Sequence, residues 1–181
     1  MKKIFVILLL IISVSTAHAQ FKAAMLQASG LTCAMCTKAI NNSLDKLSFI
    51  QSVQPDIKNS AFKIAFKPGA AVNIDQLRKA VQDAGFSIAA LKLTGVFSNV
   101  TVKNDEHTLI NGNTFHFLNV SNQILNGTKE ITIVDKNFLS SKEFQRYSAA
   151  TQMSCIQTGK AAACCKKDGI AENVRIYHAT I

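Results

Sequence analysis

Two cysteines three positions apart, Cys33 and Cys36, are the residues of this chain best suited by type and spacing to do chemistry. When one sulfur lies in a loop and the other in the first turn of the following helix, both can face one point. The N–H groups left unpaired at a helix start favour negative charge, lower thiol pKa values and so supply thiolates near neutral pH. Thiolates suit soft ions, above all Cu(I). Two sulfurs leave a tetrahedral zinc site incomplete, and no Asp or His stands beside the pair. The chemistry expected is binding of a soft ion, Cu(I) first, with Zn(II) and Hg(II) as the alternatives. A thiol–disulfide oxidoreductase uses the same spacing, but this chain has no Trp and its only prolines are Pro55 and Pro68, outside the motif. A structural disulfide between Cys33 and Cys36 is the third reading.

The elements that must hold this pair read as strand, helix, strand, strand, helix, strand over residues 20–93. Residues 21–28 lean to β structure and end in Ser29-Gly30, a turn signal. The spacing of Cys36, Ile40, Leu44 and Leu47 predicts a helix over 34–47 with one apolar face. Residues 49–57 and 61–67 form a hairpin, the second strand alternating Phe62, Ile64 and Phe66 with smaller or charged residues. Asn73 is a good N-cap for a second helix, with Asp75 in its first turn, Ile74, Leu77 and Val81 on one face, and Gly85 at its end. Two one-striped helices on one face of a four-stranded sheet make an α+β, ferredoxin-like βαββαβ sandwich.

At Gly30, Thr32, Cys33 and Cys36 the chain resembles the heavy-metal-associated domain family of copper chaperones, metal-pumping P-type ATPases and periplasmic mercury-binding proteins, whose pattern is G-M-T/S-C-x-x-C. Asp83-Ala84-Gly85-Phe86 is similar to the family's A-G-Y/F stretch, and the likeness covers the first half of the chain. The resemblance implies that Cys33 and Cys36 bind a metal ion and pass it on by ligand exchange. Leu31 stands where the family usually has Met, a position that packs beneath the loop. Met35 is expected to face solvent, and Phe86 to pack beside the loop.

Residues 94–181 read as β-rich. Asn111-Gly112 between two β-prone runs is a hairpin signature. A second pair, Asn126-Gly127, precedes another β-branched run, and Ser140 with Glu143 can form a capping box for a short helix. Several strands plus one helix suggest a small β-rich domain, of the OB-like barrel type. Cys155, Cys164 and Cys165 lie in a polar loop before the last strand. A disulfide from Cys155 to Cys164 or Cys165 is the ordinary expectation, since neighbouring cysteines seldom bridge each other. The sharper reading is a second soft-metal site, with His178 or His116 joining the sulfurs. The pair Asp105-Glu106 reads as a solvated turn.

Lys2 and Lys3, an apolar run over 4–12 and Ala17-His18-Ala19 have the order of a secretory signal peptide over residues 1–19, cut before Gln20. The expected location is therefore exported, periplasmic or secreted, without stable membrane insertion. The 181 residues carry a formal net charge of +9, which invites a nucleic-acid reading. Residues 20–93 hold nine basic and four acidic residues, a field better suited to an acidic metal-transfer partner or a membrane transporter, and no aromatic stacking platform accompanies it. Phosphate-loop, serine-elbow and H-E-x-x-H motifs are absent. The sequence thus reads as a binding and transfer protein rather than an enzyme, with a metal-regulated adaptor as a further alternative.

Overall fold

The computed structural model describes residues 19–31 and 33–181. The signal-peptide reading of residues 1–18 and the part of Thr32 in the motif lie outside the described residues. The first elements are β1 (Ala19–Ser29), α1 (Ala34–Asp45), β2 (Ile50–Asp56), a short 3-10 turn (Ile57–Asn59), β3 (Ala61–Phe66), α2 (Ile74–Asp83) and β4 (Ser87–Val102). Their sheet order is β2-β3-β1-β4, with every neighbour antiparallel. This is the ferredoxin-like arrangement.

Local signals place these elements. The Asn73 side chain accepts from the Gln76 N–H at 3.0 Å and starts α2, satisfying one of the donors a helix start leaves open. Ile74, Leu77, Ala80 and Val81 are buried on its inner face. From α1, Thr37, Ile40 and Leu44 are buried. The alternation in β3 sends Phe62, Ile64 and Phe66 into the same core cluster as both helices. Each fully buried Leu, Ile or Phe contributes roughly 1.5–3 kcal/mol against exposure, so the stripes hold both helices on the sheet.

The remaining elements are β5 (Glu106–Ile110), β6 (Asn113–Phe117), β7 (Gln123–Ile133), α3 (Ser141–Ser148), α4 (Cys155–Thr158), a 3-10 turn (Ala163–Asp168) and β8 (Ile176–Thr180). They do not close into an OB-like barrel. Among the described residues all strands belong to one open eight-stranded mixed sheet, ordered β2-β3-β1-β4-β7-β8-β6-β5. The reason lies in β4, which runs on past Leu93 and Thr94. It pairs with β7 from Leu91↔Ile133 to Val102↔Gln123, so the later strands extend the first sheet. Asn126-Gly127, whose type suggested a turn, sits inside β7 opposite a bulge. There the register shifts between Phe97 and Val100, and Asn126 Oδ1 accepts from the Asn99 N–H at 2.8 Å.

The sheet is strongly curved. Phe21 of β1 meets Phe115 of β6 edge-on at 5.9 Å between centroids, although three strands separate them in the sheet order. Arg175 ties the two parts together as well. Its guanidinium donates to Asp75 of α2 at 2.8 Å and to Asp135 at 2.7 Å, and it lies 4.1 Å over the Tyr177 ring. The Tyr177 hydroxyl also donates to Asp75, at 3.1 Å.

Candidate metal centre

The loop between β1 and α1 places the first pair. Gly30, at φ +80°, turns the chain out of β1 in the left-handed region that favours glycine. Leu31, where the resembled family usually has Met, is half-buried against the core cluster. Cys33 is the N-cap of α1, and its sulfur accepts from the Cys36 N–H at 3.3 Å. The two Sγ atoms stand 2.7 Å apart. Cys33 is exposed and Cys36 half-buried, so the pair opens to the surface at a helix start, where backbone N–H groups stabilise negative charge. No acidic side chain occupies the first turn of α1 to oppose it. Met35 is 72% exposed, and Phe86 is half-buried against the core. Such an arrangement can present two thiolates to a soft ion and leave room for a third sulfur to approach.

The three later cysteines form no disulfide, contrary to the expectation for an exported loop. They gather at the opposite end of the sheet order. Cys155 opens α4 and is fully buried, Cys165 is fully buried in the 3-10 turn, and Cys164 is half-buried beside it. The three sulfurs lie within 4.8 Å of one another, with Cys164 and Cys165 at 3.6 Å.

Two histidines complete the group, and only one of them was legible as a candidate. His116 Nδ1 is 3.7 Å and His107 Nε2 is 3.9 Å from Cys155 Sγ. The rings stack at 4.6 Å. His178, the other sequence candidate, is turned away: its Nδ1 is 2.5 Å from Asp135, and its ring meets His116 edge-on. The missed residues are His107, Asp105 and Asp168. Asp168 Oδ2 is 2.5 Å from His107 Nδ1, and Asp105 Oδ1 is 2.9 Å from His116 Nε2. Asp105 is therefore no idle turn residue. A signal for His107 does exist: a two-residue Asn111-Gly112 turn, with both residues at positive φ, sets the β5–β6 register and puts His107 directly opposite His116.

Burial and the nearby His178 and His107 pull His116 down to about 4, against the opposing Asp105 carboxylate. Burial pushes the Cys155 thiol up, and its two neighbouring cysteines add to that. At Cys164 burial acts in the same upward direction, but hydrogen bonds from Ser154 and the Cys155 backbone outweigh it and bring the thiol down to about 7.

Residues 25–87 match the family model of the heavy-metal-associated domain. Over 70 residues the chain is 30% identical to the copper-transporting ATPase HMA5 of Oryza sativa subsp. japonica, which covers 39% of this chain and 7% of the ATPase. Among solved structures, the CopZ metallochaperone is 19% identical, with 37% of this chain and 98% of that chain covered and a TM-score of 0.34. The N-terminal domain of a potential copper-translocating P-type ATPase from Bacillus subtilis is 23% identical, with 41% and 88% covered and a TM-score of 0.35. This chain thus spans a small fraction of the length of its curated relative. Residues 25–87 of the chain are a heavy-metal-associated domain.

Proposed function

We propose that the chain binds a soft metal ion, Cu(I) in preference to Zn(II) or Hg(II), between Cys33 and Cys36 and passes it to another protein. The observation that carries this is the placing of both sulfurs side by side at the exposed start of α1 inside the matched domain. On binding, each sulfur gives up whatever thiol proton it holds to solvent and donates a lone pair to the ion. Two thiolates on a monovalent ion leave one net negative charge, which the N–H groups of α1 stabilise. An arriving partner thiolate adds a third sulfur and one of Cys33 and Cys36 leaves; a second partner thiolate then displaces the other, and the ion moves without a change of oxidation state while the freed sulfurs take up protons from solvent. The exposure of Cys33 favours this exchange, because an approaching sulfur reaches the ion without the domain opening.

In this reading the chain acts as a carrier rather than an enzyme, outside the cytosol, and docks through its basic first part on an acidic protein or a transporter. Among the described residues no helix is long and apolar enough to cross a membrane.

The test is a competition titration of reduced protein with Cu(I) against a chromogenic chelator. Cys33→Ser/Cys36→Ser should lose one equivalent of Cu(I) and all transfer to an acceptor domain. Unchanged Cu(I) binding and transfer in the double variant would overturn the proposal. So would Cys33-dependent reduction of insulin disulfides without Cu(I) transfer, the signature of an oxidoreductase.

A further inference from the structure

We infer that the chain carries a second soft-metal site, in which Cys155 Sγ, His107 Nε2 and His116 Nδ1 bind one closed-shell ion and Cys165 supplies the fourth ligand. This site is independent of Cys33 and Cys36 and does not rest on the function proposed for them.

The argument is one of hydrogen-bond supply. Asp168 and Asp105 are carboxylates, able only to accept, so the ring protons of the two histidines sit on His107 Nδ1 and His116 Nε2, facing them. The two nitrogens turned towards Cys155 then both carry lone pairs. Cys155 has a single S–H and can satisfy one of them at most. The His107 side chain is 2% exposed and the His116 side chain 0%, so the second lone pair is left without a donor in a buried place, which is costly. A cation answers all three groups at once.

The geometry agrees with such an ion. A tetrahedral site with metal–sulfur near 2.3 Å and metal–nitrogen near 2.0 Å has sulfur-to-nitrogen edges of about 3.5 Å. The Cys155 sulfur stands 3.7 and 3.9 Å from the two nitrogens, a short contraction away. A carboxylate on the far nitrogen of each imidazole is the usual support of a metal-bound histidine, fixing its tautomer and aim. Cys165 is fully buried in the same small cluster as Cys155 and its sulfur lies within 4.8 Å of the Cys155 sulfur, but it stands outside the group that Cys155 forms with His107 and His116, so it serves as the fourth ligand by closing on the ion when the ion binds. Cys164 is half-buried beside Cys165. A two-sulfur, two-nitrogen set suits Zn(II), and its softness also suits Cu(I). Binding displaces the thiol protons of Cys155 and Cys165 to solvent; no electron transfer is involved.

The test uses the full chain with Cys33→Ser/Cys36→Ser, so that the first pair is silent and its fate cannot influence the result. Zn(II) and, in a separate arm, Cu(I) are titrated against chromogenic chelators, with Co(II) as an optical probe of four-coordinate sulfur ligation. The expected result is one equivalent bound by Zn(II) or Cu(I), with thiolate-to-Co(II) absorption. His107→Gln and Cys155→Ala should each abolish it. Asp168→Asn should weaken it about 10- to 100-fold, and Cys165→Ala more than Cys164→Ala. Circular dichroism of each metal-free variant separates lost binding from lost folding, and metal should raise the Tm of the parent but not of His107→Gln. No bound equivalent in the folded parent, or full binding in folded His107→Gln and Cys155→Ala, would overturn the inference.

Discussion

The two cysteine groups of this chain differ in the features that decide how tightly and how briefly an ion is held. The Cys33–Cys36 pair sits at the exposed start of α1, with two sulfurs and no imidazole beside it. The Cys155 group is buried and combines sulfur with two carboxylate-backed imidazoles. An ion with two ligands at the surface keeps coordination positions open to an incoming thiolate, which favours fast exchange. Four ligands from four separate elements, out of reach of a partner, favour retention. One chain can therefore hold the same kind of ion in two kinetic classes, and the distinction lies in exposure and ligand number more than in ligand type.

A shared sheet couples these two regions, and mutations that cut their contacts sharpen the comparison. The largest effect on stability is expected at Phe115, which is fully buried and touches both Phe21 of β1 and Tyr177 of β8. Phe115→Ala should cost about 3–5 kcal/mol, read as a lower urea midpoint. One transition reported equally by far-ultraviolet dichroism and by Cu(I) binding at Cys33–Cys36 would mean that the regions unfold together. Two separated transitions would break the coupling and leave the matched domain to fold on its own.

A smaller effect is expected at the Asp75–Arg175–Tyr177 contact, which joins α2 to the stretch entering β8. Burial raises the Asp75 carboxyl, but the Arg175 guanidinium and the Tyr177 hydroxyl more than offset this and hold it below the usual carboxylate value. A lowered folded pKa contributes stability that is complete above the unfolded value, near 3.9, and is lost as pH falls through the folded one. Asp75→Asn should therefore lower stability at neutral pH and flatten its decline below about pH 4, measured by urea unfolding across pH. An unchanged acid limb in the variant would show that other carboxylates set it.

The smallest effect is expected at Ser140. Its hydroxyl and the Glu143 carboxylate cap α3 reciprocally, and Ser140→Ala should cost about 1 kcal/mol. Metal binding at both cysteine groups should not change, because α3 supplies no ligand to either. A loss at the Cys155 group would mean that α3 helps to seat α4.

Much of the first site was legible because its signals are local. Cys33 and Cys36 are three residues apart, Asn73 and Gly85 punctuate α2, and Phe62, Ile64 and Phe66 alternate along one strand. Such patterns depend on helix and strand periods, which every stretch of chain obeys without help from distant residues. Pairing His107 with His116 was also within reach, since a two-residue Asn-Gly turn sets the register of its hairpin. Joining residues 94–181 to the first sheet was not. Alternation marks strands but does not say which edge they extend, and the continuation of β4 through Thr94 decided that.

By itself, then, the sequence determined the ligand types, the C-x-x-C spacing, the helix caps and the βαββαβ order, all through interactions within a few residues. Only the tertiary structure decided that Cys155 faces His107 and His116, 48 and 39 residues away, and that Asp168 reaches His107 across 61. It also set His178 aside on Asp135. Those contacts follow from the parallel pairing of β6 with β8 and from the packing of α4 and the 3-10 turn beside it. Long-range pairings of this kind are chosen by the burial of the whole sheet and leave no periodic mark on the residues that make them.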